Sequence, residues 1–246
     1  MAIESIQSVN VFVRNLEAAV RFYDDVLSLP LARRADGMAT FYSGQRGAQL
    51  NVLRAGSEDA GSVGRHTGIA LRVREFGDLD SFVRRVEAKT GRADVSSFRR
   101  GNRLELRDGD DNRMALVETQ SPEENPPIFD APASVSVRVR NLRAAMEFYV
   151  GLLELPMVDQ PDPNSALFFS GTTQLILADR PGITPATPVD GETGICFALD
   201  DAERTFDDLM GRGARFAVPP RLLGPAWIAS LRDPDGNVFT LYGRVP

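Results

Sequence analysis

The sequence holds one histidine, one cysteine and one tryptophan in 246 residues. A single cysteine, Cys196, excludes an internal disulfide framework and any cysteine-cluster metal site within one chain. A single histidine, His66, excludes any site within one chain that needs two histidines and a carboxylate on one metal ion. No apolar run approaches the roughly 20 residues that span a bilayer, and the N-terminal stretch MAIESIQSVNVFV has no charged segment followed by an apolar one. The expectation is a soluble, cytoplasmic protein that does not engage membranes. Positive charge is also in short supply: 28 Lys and Arg stand against 34 Asp and Glu, for a net charge of −6. The basic residues are scattered and nearly all arginine, so nothing supplies the clustered cations that hold nucleic acid.

What is present is a globular composition, 43% apolar and 25% charged, enough for one large core or two medium ones. It is also a duplication. VRNLEAAVRFYDDVLSLPL, starting at Val13, recurs as VRNLRAAMEFYVGLLELPM, starting at Val139, and Thr67-Gly68-Ile69 recurs at the same 126-residue spacing as Thr193-Gly194-Ile195. Two domains of like layout follow, residues 1–120 and 134–246, joined by SPEENPPIFDAPA (121–133), whose prolines and acids suit an exposed linker.

Within each half, periodicity gives the elements. Val9, Val11 and Val13 alternate with Ser8, Asn10 and Phe12, the signature of a strand with one face on a helix. Asn15 is placed to cap a following helix whose stripe is Leu16, Ala19, Val20, Tyr23, Val26 and Leu27, and Pro30 stops it. Strand-like segments follow at 38–44 and 48–53, with room for one more. The plan restarts at residue 67, with strand GIALRV, a helix carrying Leu79, Phe82, Val83 and Val86 that Gly91 ends, and two strands in LELRDGDDNRMALVE. The second half repeats it with GICFAL, a helix carrying Ala202, Phe206, Leu209 and Met210, and IASLRDPDGNVFTLYG. The fold class is α+β, built from four βαβββ modules.

The V-R-N-L segment, the F-Y helix, L-x-L-P and the D-P-D-G-N turn at Asp233–Asn237 together resemble the vicinal oxygen chelate superfamily, which includes glyoxalase I, extradiol dioxygenases, fosfomycin-resistance enzymes and bleomycin-binding proteins. The resemblance covers nearly the whole chain. It implies tandem glyoxalase-like domains with curved mixed sheets, helices on the convex side and a cavity on the other. It also implies metal-ligand positions, and in this sequence these fall on Ser8 and Ser134, Gly68 and Gly194, Asn51 and Ile176, and Ala115 and Thr240. None carries a usual ligand, so the expectation is no metal and no cofactor. His66, two residues before one such position, reads as a solvent-facing loop residue.

The cavity wall is what remains. With the valine face on the helices, Ser8, Asn10, Phe12, Asn51, Ala70, Arg72 and Ala115 are expected around a first cavity, and Ser134, Ser136, Arg138, Cys196, Thr240 and Tyr242 around a second. Small and polar residues on such a wall describe a small-molecule pocket, or else the filling of a collapsed sheet. Arg72 and Arg138 call for an anion or reach solvent at a strand end. Trp227 either stacks on a planar ligand or covers the core edge, and Tyr23 and Tyr149 belong to apolar helix stripes. Two readings of function stand. The first is metal-independent binding of a planar or amphipathic, in one variant anionic, small molecule. The second is a metal-independent isomerase, lyase or hydrolase, or a degenerate dioxygenase-like protein, with acid–base work left to Tyr242 or Cys196. The ligand pocket is expected in the second half, and a homodimer is compatible with the family pattern.

Overall fold

The computed structural model describes residues 3–41, 48–57, 60–64, 68–73, 84, 86–89, 103–118, 129–169, 173–179 and 190–245. The first module runs β1 (Ile3–Val13), α1 (Leu16–Arg21) with a π-helical turn (Phe22–Val26), β2 (Leu31–Ala35), β3 (Met38–Phe41) and β4 (Gln49–Arg54). The strand left open between the helix and residue 38 is β2, exposed along its whole length. Asn15 caps α1, its side chain accepting from the Ala18 amide at 3.1 Å, and Asn141 caps the helix of the third module in the same way. These caps satisfy amides that the first helical turn leaves without partners.

The second module supplies β5 (Gly68–Val73), helical residues at Arg84 and Val86–Lys89, β6 (Arg103–Arg107) and β7 (Arg113–Glu118). Val86 is buried as expected, while Leu79, Phe82, Val83, Gly91 and His66 lie outside the described residues. The third has β8 (Phe129–Arg138), α2 (Leu142–Met146) with its own π-helical turn (Glu147–Leu152), β9 (Met157–Asp162), β10 (Ser165–Phe168) and β11 (Gln174–Ala178). Of the segment read as a linker, 121–128 lie outside the described residues and Phe129 begins β8. The fourth has β12 (Gly191–Leu199), α3 (Ala202–Gly211), β13 (Phe216–Leu223), β14 (Ala226–Arg232) and β15 (Asn237–Arg244). On α3, Ala202, Phe206 and Leu209 are buried; Met210, expected on the same face, is half exposed because it falls one position past the apolar stripe.

The strands form two mixed, curved sheets, and each joins modules from both halves. One has eight strands in the order β13-β14-β15-β12-β1-β4-β3-β2, uniting the first and fourth modules; the other has seven, β6-β7-β5-β8-β11-β10-β9, uniting the second and third. The seams are antiparallel, β1 on β12 and β5 on β8. Cavities confined to one half each were the expectation, and this topology replaces them. Each curved face now belongs to both halves, because β1 and β5 each pair across the seam with a strand of the other half, about 190 and 65 residues away, rather than with each other.

The helix-facing side of the eight-stranded sheet carries the core. Val9, Val11, Val13, Ile195, Phe197, Phe239 and Leu241 are essentially without solvent contact, and the rings of Phe197 and Phe239 meet at 5.7 Å. Burial of such side chains contributes roughly 1.5–3 kcal/mol each. A polar clamp ties the two sheets together inside each half. In the second half Asp233 receives Tyr149 Oη at 2.9 Å and Asn237 Nδ2 at 2.8 Å on one oxygen, and the Asp235 and Asn237 amides on the other. Asn237 Nδ2 also donates to the Arg138 carbonyl at 3.1 Å. Asp108, Tyr23, Asn112 and the Phe12 carbonyl repeat the arrangement in the first half. Burial raises both aspartate pKa values and the donated hydrogen bonds oppose the rise, while burial beside these carboxylates lifts Tyr23 and Tyr149 well above the usual phenol value.

Candidate functional site

Side chains at registered positions of neighbouring strands point to one side of a sheet. On the eight-stranded sheet the row away from the helices reads Gln49, Ser8, Cys196, Thr240, Ser230. It crosses four strand spacings, roughly 19 Å at ~4.8 Å each. Ser8 and Cys196 are buried at its centre; Gln49, Thr240 and Ser230 are half-buried. One level along, Asn10, Asn51 and Thr40 form a second row.

The two rows share a hydrogen-bonded network. Thr40 Oγ1 donates to Asn51 Oδ1 at 2.9 Å, Asn51 Nδ2 donates to Asn10 Oδ1 at 2.9 Å, and Ser8 Oγ reaches the same Asn10 oxygen at 3.4 Å. Each of these residues sits on a strand, so the network is held by the sheet ladder rather than by loops. It fixes the orientation of the Asn10 carboxamide and leaves its Nδ2 without an acceptor among the described residues. Tyr242 and Ile228 close the far side, paired across β14 and β15, and the hydroxyls of Thr240 and Tyr242 likewise have no partner among the described residues. Burial pushes the Cys196 thiol up to about 12, a hydrogen bond from Ser8 opposing, so it is protonated at neutral pH and is a poor nucleophile.

The corresponding row of the seven-stranded sheet is Gln174, Ser134, Ala70, Ala115, Glu105. Ser136 and Arg138 follow Ser134 on the same side of β8, beside Ile176 and Ala178. The residues assigned from sequence to one second-half pocket are therefore divided. Thr240, Tyr242 and Cys196 stand on the first face with Ser8, Asn10 and Asn51; Ser134, Ser136 and Arg138 stand on the other face with Ala70 and Ala115. Arg72 pairs through its backbone with Val117, and its side chain lies outside the described residues. Trp227 is not on either face. It alternates with Ile228 to the helix side, where its Nε1 donates to Glu203 at 3.1 Å and its ring meets Phe206 edge-on at 6.3 Å, so it covers the core edge.

Sequence reasoning missed Gln49, Gln174 and Thr40. The repeat held a signal for the glutamines, since Gln49-Leu50 recurs as Gln174-Leu175.

A sequence-family model described as Glyoxalase/Bleomycin resistance protein/Dioxygenase superfamily matches residues 5–115 and again 131–241. The chain belongs to that superfamily. Among solved structures, a proposed dioxygenase from Bacillus subtilis is 15% identical with a TM-score of 0.67, over 98% of this chain and 86% of that one. Glyoxalase I from Zea mays is 17% identical with a TM-score of 0.66, over 97% of this chain and 92% of that one. At these identities the likeness is one of fold, and one fold hosts many activities. No curated protein sequence matches the chain.

The superfamily resemblance implies a metal on each concave face, and strand register tests the donors present. Gly194 and Gly68 are displaced from the central rows. Cys196 and Ala70 are the residues level with Ser8 and Ser134. Gln49 and Gln174, rather than Asn51 and Ile176, share that level. The first row thus offers three hydroxyls, a carboxamide and a protonated thiol, and the second offers a hydroxyl, a carboxamide, two alanines and, on the outer strand β6, the carboxylate of Glu105. Among the described residues no three His, Cys, Asp or Glu side chains gather anywhere. Neither row holds an imidazole, and their one carboxylate, Glu105, stands alone at an outer strand, so these sets do not fit the implied divalent transition metal.

Proposed function

We propose that the chain is a metal-independent binding protein for a small planar or amphipathic molecule, seated on the concave face of the eight-stranded sheet. The observation that carries this reading is the Thr40–Asn51–Asn10–Ser8 network. Four polar side chains with fixed orientations, Ser8 and Thr40 buried and Asn10 and Asn51 half-buried, with Phe12 and Leu53 at the next level of β1 and β4, supply directional hydrogen bonds against an apolar surround. That combination is how small-molecule sites select an orientation. The donor chemistry supports metal independence. A catalytic alternative draws no comparable support, since the thiol of Cys196 is held protonated and no carboxylate or imidazole enters this row.

Two measurements test the reading. Elemental analysis of purified protein is expected to find Ni, Zn, Fe and Mn well below one per chain, with thermal stability unchanged by EDTA. Native mass spectrometry is expected to detect a co-purifying small molecule that Asn51→Ala protein loses while retaining its fold. One equivalent of metal together with destabilisation by EDTA would overturn the metal-independent reading, and retention of the molecule by the Asn51→Ala variant would remove the network from the site.

A further inference from the structure

The duplication has diverged face by face, and β8 of the second face carries a guanidinium where β1 of the first has a phenyl ring. Phe12 of the first half corresponds to Arg138 of the second, Asn10 to Ser136, and Thr240 to Ala115. At registered positions Asn51 is replaced by Ile176 and Thr40 by Leu167. Nothing of the carboxamide network survives there. Instead the described residues of the face give a floor of Ala70 and Ala115, two serine hydroxyls, half-exposed Ile176 and Leu167, and the Arg138 guanidinium on β8, with Arg107 and Arg113 out on β6 and β7.

We infer that the concave face of the seven-stranded sheet is a second binding site, built around Arg138, for an organic carboxylate with a flat apolar body. Arg138 is half-buried, and among the described residues no side-chain carboxylate lies within ion-pair distance of its guanidinium and no acceptor takes its hydrogen bonds. Its backbone, in contrast, is pinned: the Arg138 carbonyl accepts from Asn237 Nδ2, and Asn237 is locked in turn by Asp233. A partly desolvated cation on a pinned backbone, with no counter-ion in reach among the described residues, favours an external anion, and a guanidinium favours the two-oxygen geometry of a carboxylate. The carboxylates that register places on this face among the described residues, Glu105 on β6 and Asp159 and Asp162 on β9, are each three strands away, roughly 14 Å at the ~4.8 Å strand spacing, too far to neutralise it. Ser136, one position before on the same side, stands where its hydroxyl donates to the second oxygen of the anion. Alanines at 70 and 115, where the first face has Cys196 and Thr240, leave depth for a ring, and Ile176 and Leu167 present apolar atoms to its plane.

The inference is independent of the site proposed on the other sheet, and the experiment keeps the two apart. Benzoate and its neutral isostere benzamide are titrated into 15N-labelled full-length protein. Benzoate is expected to shift the amides of Ser134, Ser136 and Arg138 in a saturable way, with benzamide at least about tenfold weaker, a difference of about 1.4 kcal/mol. Arg138→Gln, whose substitution leaves the backbone bond to Asn237 in place, is expected to weaken benzoate about tenfold or more. Arg138→Lys should restore part of that loss. Asn51→Ala should leave benzoate binding unchanged. Equal binding of benzoate and benzamide, shifts confined to Asn10 and Asn51, unaltered benzoate affinity in Arg138→Gln, or no saturable shift with benzoate would each overturn the inference.

Discussion

Gly194 shows how a single residue sets the geometry of the seam that both halves share. Its φ is +73°, and a Cβ added there would lie 2.2 Å from the Asn10 carbonyl oxygen. The β1 backbone at the site therefore approaches β12 more closely than any L side chain permits. The position looks from sequence like one more lost metal ligand, but its glycine is required by Asn10. Gly194→Ala is expected to cost roughly 3 kcal/mol, combining left-handed strain with displacement of backbone. Gly191→Ala, also at positive φ but with open space at its Cβ, should cost only about 1 kcal/mol. Urea denaturation of both variants checks the contrast, and equal losses would mean that close approach to Asn10 has no energetic role. A second residue-scale expectation concerns Asp233. Its pKa is raised in the folded state, chiefly by burial, so between the ordinary carboxylate value and the raised one the native protein binds more protons than the unfolded chain. The stability it contributes is complete below the unfolded value and declines as pH rises through the folded one. Asp233→Asn also sets the amide nitrogen against Asn237 Nδ2, at a cost of about 1–3 kcal/mol. The deficit of the variant relative to the native protein should therefore be larger near pH 4 than near pH 7. Denaturation at the two pH values measures it, and a deficit that grows with pH would contradict the sign.

At the scale of elements, what could be read from sequence was whatever local period and local caps determine. The valine alternation of β1 has one arrangement that buries Val9, Val11 and Val13, and the structure adopts it. Asn15 and Asn141 cap their helices because a side-chain oxygen at that position reaches the amide three residues on, a relation contained in four residues of chain. Tyr23 and Tyr149 were legible as core residues, but the aspartates that receive their hydroxyls lie 85 and 84 residues away, and no local rule names them. Trp227 illustrates a different limit. A strand shows period two but not which phase faces which layer, and a shift of one residue exchanges Trp227 for Ile228 on the cavity side. The candidate site suffers most from this, because it is a set of side chains drawn from six strands. Ser8, Asn10, Asn51, Thr240 and Tyr242 were each read as wall residues, and the structure places them on one wall together. Gln49, on the same strand as Asn51, and Thr40, one strand further, join that wall through register alone.

The pairing of modules is a property of the whole molecule, and the duplication itself hides it. β5 begins Gly-Ile-Ala and β12 contains Gly-Ile-Cys at the corresponding place, so β1 meets nearly the same pattern whichever of the two it joins. The structure resolves the choice by crossing the halves, with β1 on β12 and β5 on β8. Each half alone, residues 1–120 or 134–246, would then hold two modules that face different sheets, tied by the aspartate clamp but each missing its seam partner. Unpaired seam strands expose a row of backbone donors and acceptors together with the apolar residues beside them. The repeat supplies a solution: β1 of one isolated first half could take β5 of a second copy, and the reverse, closing a two-fold dimer with the seams of the intact chain. The isolated first half is therefore expected to be either a homodimer or an aggregate, and the two halves mixed should recover a one-to-one complex. Analytical ultracentrifugation of each half and of the mixture distinguishes these outcomes. A monomeric, cooperatively folded first half that ignores the second would show that the seams contribute little, and that each half is a complete folding unit in spite of the crossed sheets.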